Sequence, residues 1–142
     1  MVFIRRTLLP VFIAAIWICI SEFCRNELLF KHIWIEHYRK LEMIFPADPN
    51  NGAFWGIWSL FFAILIFALT RRFTQNETTL LAWFAGFGMT WIVIWYMKVL
   101  PIAIFPTVLP LSLLEAYVAT FIIRKLSPVY KNKIAVTTDP KL

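Results

Sequence analysis

Long apolar runs alternate with short basic or turn-forming stretches along the whole chain. The first run, Leu8 to Ile20, has thirteen residues, short of the about 20 needed to cross a hydrocarbon core about 30 Å thick. A spanning helix must therefore continue through Ser21, Glu22, Phe23, Cys24, Arg25, Asn26, Glu27, Leu28 and Leu29, which predicts helix over 7–29. Glu22, Arg25, Asn26 and Leu29 fall at i, i+3, i+4 and i+7, so the polar members share one face. On that face Glu22 can pair with Arg25 and with Asn26. Two readings of the face stay open: a salt-bridged helix end among the headgroups, or a polar wall of a cavity open to one side.

Three further runs predict helices over 53–70, 78–96 and 102–123. Between the first two helices lies an outer segment, 30–52. Its Phe30 to Phe45 part mixes aromatics with Lys31, His32, Glu36, His37, Arg39, Lys40 and Glu42. It reads as an interfacial helix on the bilayer surface or a continuation of the first helix. Pro46, Asp48-Pro49 and Asn50-Asn51-Gly52 form a turn cluster, and Asn50 or Asn51 can cap the second span. Gly52-x-x-x-Gly56 opens that span, and Ser59 and Ala63 continue a row of small residues that permits close helix approach. Thr74-x-x-Glu77 matches a capping box at the start of the third helix. Ala82, Ala85, Gly86 and Met89 give that helix a second close-packing face. Pro106 and Pro110 are expected to kink the fourth. Residues 127–142 are polar and read as a flexible tail. The fold class expected is an all-α integral membrane protein, a four-transmembrane-helix bundle with an interfacial helical segment between helices 1 and 2.

Composition agrees. Of 142 residues, 61% are hydrophobic and 15% charged, and the mean hydropathy is +0.72; a soluble domain is nearer about half apolar and about a quarter charged. The net charge of +6 could suggest nucleic acid. Its basic residues, however, sit at the ends of apolar runs, where anionic headgroups are the fitting partner. Arg5 and Arg6 before an apolar run look superficially like a secretory signal, but no small-x-small cleavage site follows, so the run is expected to be retained. Cys19 and Cys24 are five apart and point apart on one helix, a poor geometry for a disulfide.

Four spans put both ends of the chain on one side. That side holds Arg5, Arg6, Arg71, Arg72, Arg124, Lys125, Lys131, Lys133 and Lys141; the other holds Arg25, Lys31, Arg39, Lys40 and Lys98 with most of the acids. The positive-inside rule then places the termini in the cytoplasm and the chain in the cell (inner) membrane.

The fourth run carries an acid, Glu115, nine residues before Arg124, about 13.5 Å from that end at helical rise. A carboxylate that deep costs about 2.5–3.5 kcal/mol on insertion scales and should face helices or water. Counting depth from the same end puts Ser59 and Thr90 at similar height. The expectation is a buried polar cluster of Ser59, Thr90 and Glu115, roofed by outer tryptophans including Trp55, Trp58 and Trp91. Glu22 and Arg25 join the candidates for ligand or proton binding. His32, Glu36 and His37 are candidates for a metal, but zinc needs further ligands that the chain does not offer nearby; no cofactor is expected.

Function is ranked on these residues. First comes a protein that binds or transports a proton or a small lipophilic or cationic ligand at Glu115. Second comes a non-catalytic membrane subunit or assembly factor, docking a partner or a second copy through Gly52-x-x-x-Gly56 and the aromatic outer face. Third comes a lipid-modifying enzyme using Glu22, His32, Glu36 or His37 at headgroup level. Short helices, a membrane glutamate and many tryptophans are loosely similar to the small multidrug resistance transporters. That family keeps its glutamate in the first helix and has shorter loops, whereas Glu115 is in the fourth and no motif matches.

Overall fold

The computed structural model describes residues 4–46 and 49–127, and the regular structure among them is helical. In chain order the helices are α1 (Ile4–Leu29), α2 (Lys31–Lys40), α3 (Pro49–Thr70), α4 (Gln75–Tyr96) and α5 (Ile102–Leu126). All but α2 are long and apolar enough to cross a membrane. The expected spans lie inside these helices, which run a few residues further at several ends. The tail expected over 127–142 lies outside the described residues beyond Ser127.

Local chemistry explains most boundaries. Phe30, at φ −113° and ψ 0°, leaves helical geometry, so α2 starts anew instead of prolonging α1. The expectation that Asn50 or Asn51 caps the second span is corrected: α3 already begins at Pro49, whose fixed φ and missing N–H suit a first turn. Thr74 and Glu77 form the expected reciprocal capping box, and α4 begins at Gln75. The expected double kink in α5 is also corrected. Pro106 falls in the first turn of the α-helical part, where no hydrogen bond is lost, and Pro110 alone lies inside it.

Two helices carry inward stripes of helical period. On α1 the buried positions are Pro10, Val11, Ala14, Ala15, Ile18, Glu22 and Arg25. On α5 they include Ser112, Glu115, Ala116, Ala119, Thr120 and Ile123. Their alanines let backbones approach closely, which is how helices associate where lipid removes the hydrophobic drive. α1 packs against α3 and α5, and α4 packs against α5 and α3. Ile18, Phe62, Ala63, Ile66, Ala82, Phe87 and Ile123 fill the centre. Phe30 at the end of α1 meets Leu100, Ile104 and Val108 at the start of α5, so these two helices run antiparallel. Large apolar residues on the other faces, such as Phe12, Ile16, Phe61 and Ile92, are exposed.

The small-residue faces need revision. A Cβ added at Gly52 or Gly56 would meet nothing within 4 Å, so this pair seams no helix contact in the monomer. On α4, Ala82 is buried and Gly86 faces Phe62, but Ala85 and Met89 are exposed. A Cβ at Gly86 would come 2.5 Å from Phe62 Cε2. That ring cannot retreat, being stacked on Trp58 and set edge-on to Phe87. Gly86→Val is expected to lower stability by about 1–3 kcal/mol through overpacking. Gly56→Ala should leave stability unchanged or slightly raised. Thermal unfolding of both variants in detergent, side by side with the parent, checks this.

Candidate functional site

Three ionisable side chains meet inside the bundle: Glu22 and Arg25 from α1 and Glu115 from α5, exposed by only 3%, 5% and 1%. Helix direction brings them together. Side chains lean toward the N-terminus of their own helix. Because α1 and α5 are antiparallel, Glu22 and Arg25 lean toward the middle of the bundle while Glu115 leans back toward them.

Arg25 is the shared partner. Its Nη1 donates to Glu115 Oε2 at 2.9 Å, and its Nη2 donates to Glu22 Oε1. Ser21 Oγ donates to the same Glu115 Oε2 at 2.7 Å. Asn26 Nδ2 donates to Glu22 Oε2 at 2.7 Å. Trp17 Nε1 donates to the Glu115 backbone carbonyl at 3.2 Å and pins the two helices at that level. The guanidinium also lies over the Phe87 ring, 5.0 Å from its centroid, a contact worth about 2 kcal/mol or more when desolvated. Arg25 and Phe87 each lie in a π-helical stretch, Cys24–Leu29 on α1 and Phe84–Gly88 on α4. Such widened turns re-aim side chains and recur at functional sites.

Two features set the chemistry. One guanidinium faces two carboxyl groups, so with all three ionised one negative charge is uncompensated in an apolar interior. In addition, Glu115 Oε1 is buried without a hydrogen-bond partner, and among the described residues it is the buried side-chain polar atom in that condition. An unmatched buried acceptor of this kind costs about 1–3 kcal/mol or more. A proton on the carboxyl removes the excess charge, and a cation beside Oε1 removes both deficits.

Of the expected trio, only Glu115 is here. Ser59 Oγ donates to the Trp55 carbonyl at 2.8 Å, and Thr90 Oγ1 donates to the Gly86 carbonyl at 2.7 Å. Both hydroxyls bond back to their own helix, as Ser and Thr readily do, and Thr90 is exposed. Equal depth put these residues at one height, but helical phase turned them elsewhere. The α5 serine near Glu115 is Ser112, which accepts from Trp83 Nε1 at 2.9 Å. Trp58 and Trp91 both pack on Phe87, whereas Trp55 is exposed and touches Trp58 edge-on. Ser21, Trp17 and Phe87 join the site without having been singled out as ligands. A signal for the α1 face was present, since Glu22 and Arg25 continue the Val11, Ala14, Ala15, Ile18 stripe.

His32, Glu36 and His37 form no joint site. Glu36 is bound by Arg39 through two hydrogen bonds, at 3.0 and 2.9 Å. The Arg39 guanidinium holds that exposed carboxyl below the usual carboxylate range. His37 Nε2 lies 3.4 Å from the Lys98 carbonyl. Among the described residues no three His, Cys, Asp or Glu side chains could hold a metal together. Cys19 and Cys24 are both free thiols.

No known protein family, curated protein or solved structure matches this chain.

Arg25→Gln strands two buried carboxyls without their cation. Such a loss is expected to cost about 3–5 kcal/mol. Adding Glu115→Gln to it should recover part of the loss, because it removes a charge. Unfolding of the single and double variants in detergent gives the coupling directly.

Proposed function

We propose that this chain is a multi-pass membrane protein that takes up a proton at Glu115, or a small lipophilic cation in its place. The observation that carries the reading is the buried, unpartnered Glu115 Oε1 beside a guanidinium already shared between two carboxyls. The site's charge balance supports it. A proton or a monovalent cation neutralises the cluster, and each makes the other unnecessary, so the two compete. Competition of that kind is the linkage on which proton-coupled exchange rests. An ionisable group inside a spanning helix is expensive to keep there and by default marks a pathway or a binding site. The aromatic wall formed by Trp58, Phe62, Phe87 and Trp91 offers rings to a lipophilic cation.

The wider setting follows from the surface. Exposed Phe, Ile and Leu side chains surround the spanning helices, and such a face suits acyl chains. The basic residues concentrate at the Arg71-Arg72 turn and at Arg124-Lys125. We place that end, with both termini, in the cytoplasm, and the chain in the cell (inner) membrane.

The test uses purified protein in detergent. Infrared difference spectra across a pH series should show a protonated carboxyl band that Glu115→Gln removes. Calorimetric titration with tetraphenylphosphonium, in buffers of different ionisation enthalpy, should show proton release on cation binding. Affinity should weaken as pH falls, because protons and the cation claim the same carboxyl. Ser59→Ala and Thr90→Ala should change neither readout. A carboxyl that stays ionised throughout, together with no proton-linked cation binding, overturns the proposal.

A further inference from the structure

We propose that Glu115 exchanges its proton with water from the α2 end of the bundle only, through a lane of polar side chains on α1 whose entrance is Asn26. The inference rests on the proton-binding reading above and adds to it a side and a set of positioning residues.

The polar contacts are continuous in one direction. From Glu115 they pass to Arg25, from Arg25 to Glu22, and from Glu22 to Asn26, each step a hydrogen bond. Burial relaxes along the same line. Glu22 and Arg25 are buried, Asn26 is half-buried, and the next turn carries the Glu27–Lys31 ion pair at 2.6 Å with both side chains about two-fifths exposed. The Phe30, Leu100, Ile104 and Val108 cluster closes the seam between α1 and α5 at this end. The polar groups run instead along the α1 face, where Asn26 is the half-buried end of the line.

The opposite direction is sealed. Between Glu115 and the Ile4/Leu126 end, Ala116, Ala119 and Ile123 of α5 meet Ala14 and Ile18 of α1, all of them completely buried. Ile66 of α3, also completely buried, packs in the same cluster. Thr120, the polar member of that α5 stripe, donates to its own Ala116 carbonyl at 2.7 Å. Close-packed alanine and isoleucine leave no polar partners for a water, which needs several to stay. The bond made is the Glu115 carboxyl O–H, and the bond broken is an O–H of a hydronium ion that enters at the level of Asn26 and is left as water. Asn26, Glu22 and Arg25 line and position this route without passing the proton through the guanidinium, and the proton cancels the cluster's excess negative charge. Arg25 remains a cation throughout, since a guanidinium does not deprotonate in a protein, and keeps Glu22 as its ion partner.

Two measurements on the full chain in proteoliposomes test the lane. In a Cys19→Ala, Cys24→Ala background, a membrane-impermeant methanethiosulfonate reagent is added from each side in turn. Asn26→Cys and Ser21→Cys should be modified from the α2 side, and Ala119→Cys from neither. Modification of Ala119→Cys from the far side, or inertness of Asn26→Cys in a variant whose melting temperature matches its parent, overturns the lane. The second measurement needs no cysteine. After a pH jump on one side, the protonated carboxyl band of the unmodified chain should rise only when the jump is on the α2 side. Asn26→Leu should slow that rise about tenfold, equivalent to about 1.4 kcal/mol of barrier, with the final amplitude unchanged. A rise from either side at one rate, or an unslowed Asn26→Leu, counts against it. If no carboxyl protonates at any pH, the proposed function fails, and the cysteine reactivities still decide the lane.

Discussion

A single guanidinium held between two carboxyl groups is the contact on which this bundle depends. Taking such ions out of water costs several kcal/mol each after relaxation, and attraction repays this only when the geometry is good and the remaining donors and acceptors are met. Arg25 meets these terms through Glu22, Glu115 and the Phe87 ring, and Ser21 and Asn26 supply further donors. The cluster couples α1 to α5 at mid-bundle, and Trp17 adds a fixed point through the Glu115 backbone. Among the described residues, Glu115 Oε1 is the buried side-chain polar atom left without a partner. That exception is what turns a structural ion cluster into a candidate site.

The rest of the fold can be read as support for that contact. Alanines on α1, α3, α4 and α5 draw the backbones together, and close approach is what lets short side chains such as Ser21 reach across. The π-helical stretches on α1 and α4 set Arg25 and Phe87 face to face. Ring contacts then run from Trp58 through Phe87 and Trp91 to Phe105, tying α3, α4 and α5 together. Polarity is distributed unevenly along the axis. Inside the bundle, the half toward α2 holds the buried ions Glu22 and Arg25, while buried polar residues of the other half include Thr70, Thr79 and Thr120, each bonded back to its own helix.

Much of the helical framework was legible from residue order, because spanning length, basic flanks and the Thr74/Glu77 box are local signals. The buried acid was legible too, since an isolated glutamate in a long apolar run stands out by composition alone. Its partners were not chosen correctly from depth. Depth depends on residue count from a helix end, and Ser59 and Thr90 have the right count. Contact depends also on the direction each side chain takes around its helix, and both hydroxyls turn back to their own carbonyls. The Gly52/Gly56 pair shows the same limit: spacing gives a face but not the neighbour it meets, and within this chain nothing lies within 4 Å of either.

By itself the chain determined four long apolar helices, the turns that separate them, and a glutamate set deep in one of the apolar runs. These follow from hydrophobic length and from helix-end chemistry, which operate over a few residues at a time. Only the tertiary structure decided that Glu22 and Arg25 belong to the core, that Glu115 shares its cation with Glu22, and that the polar groups lead toward α2. Those outcomes depend on α1 and α5 lying in close contact and on which of their faces meet. The period of the α1 stripe points to its inward face, but no local pattern names the helix that face meets, because that is set by how the four helices pack together.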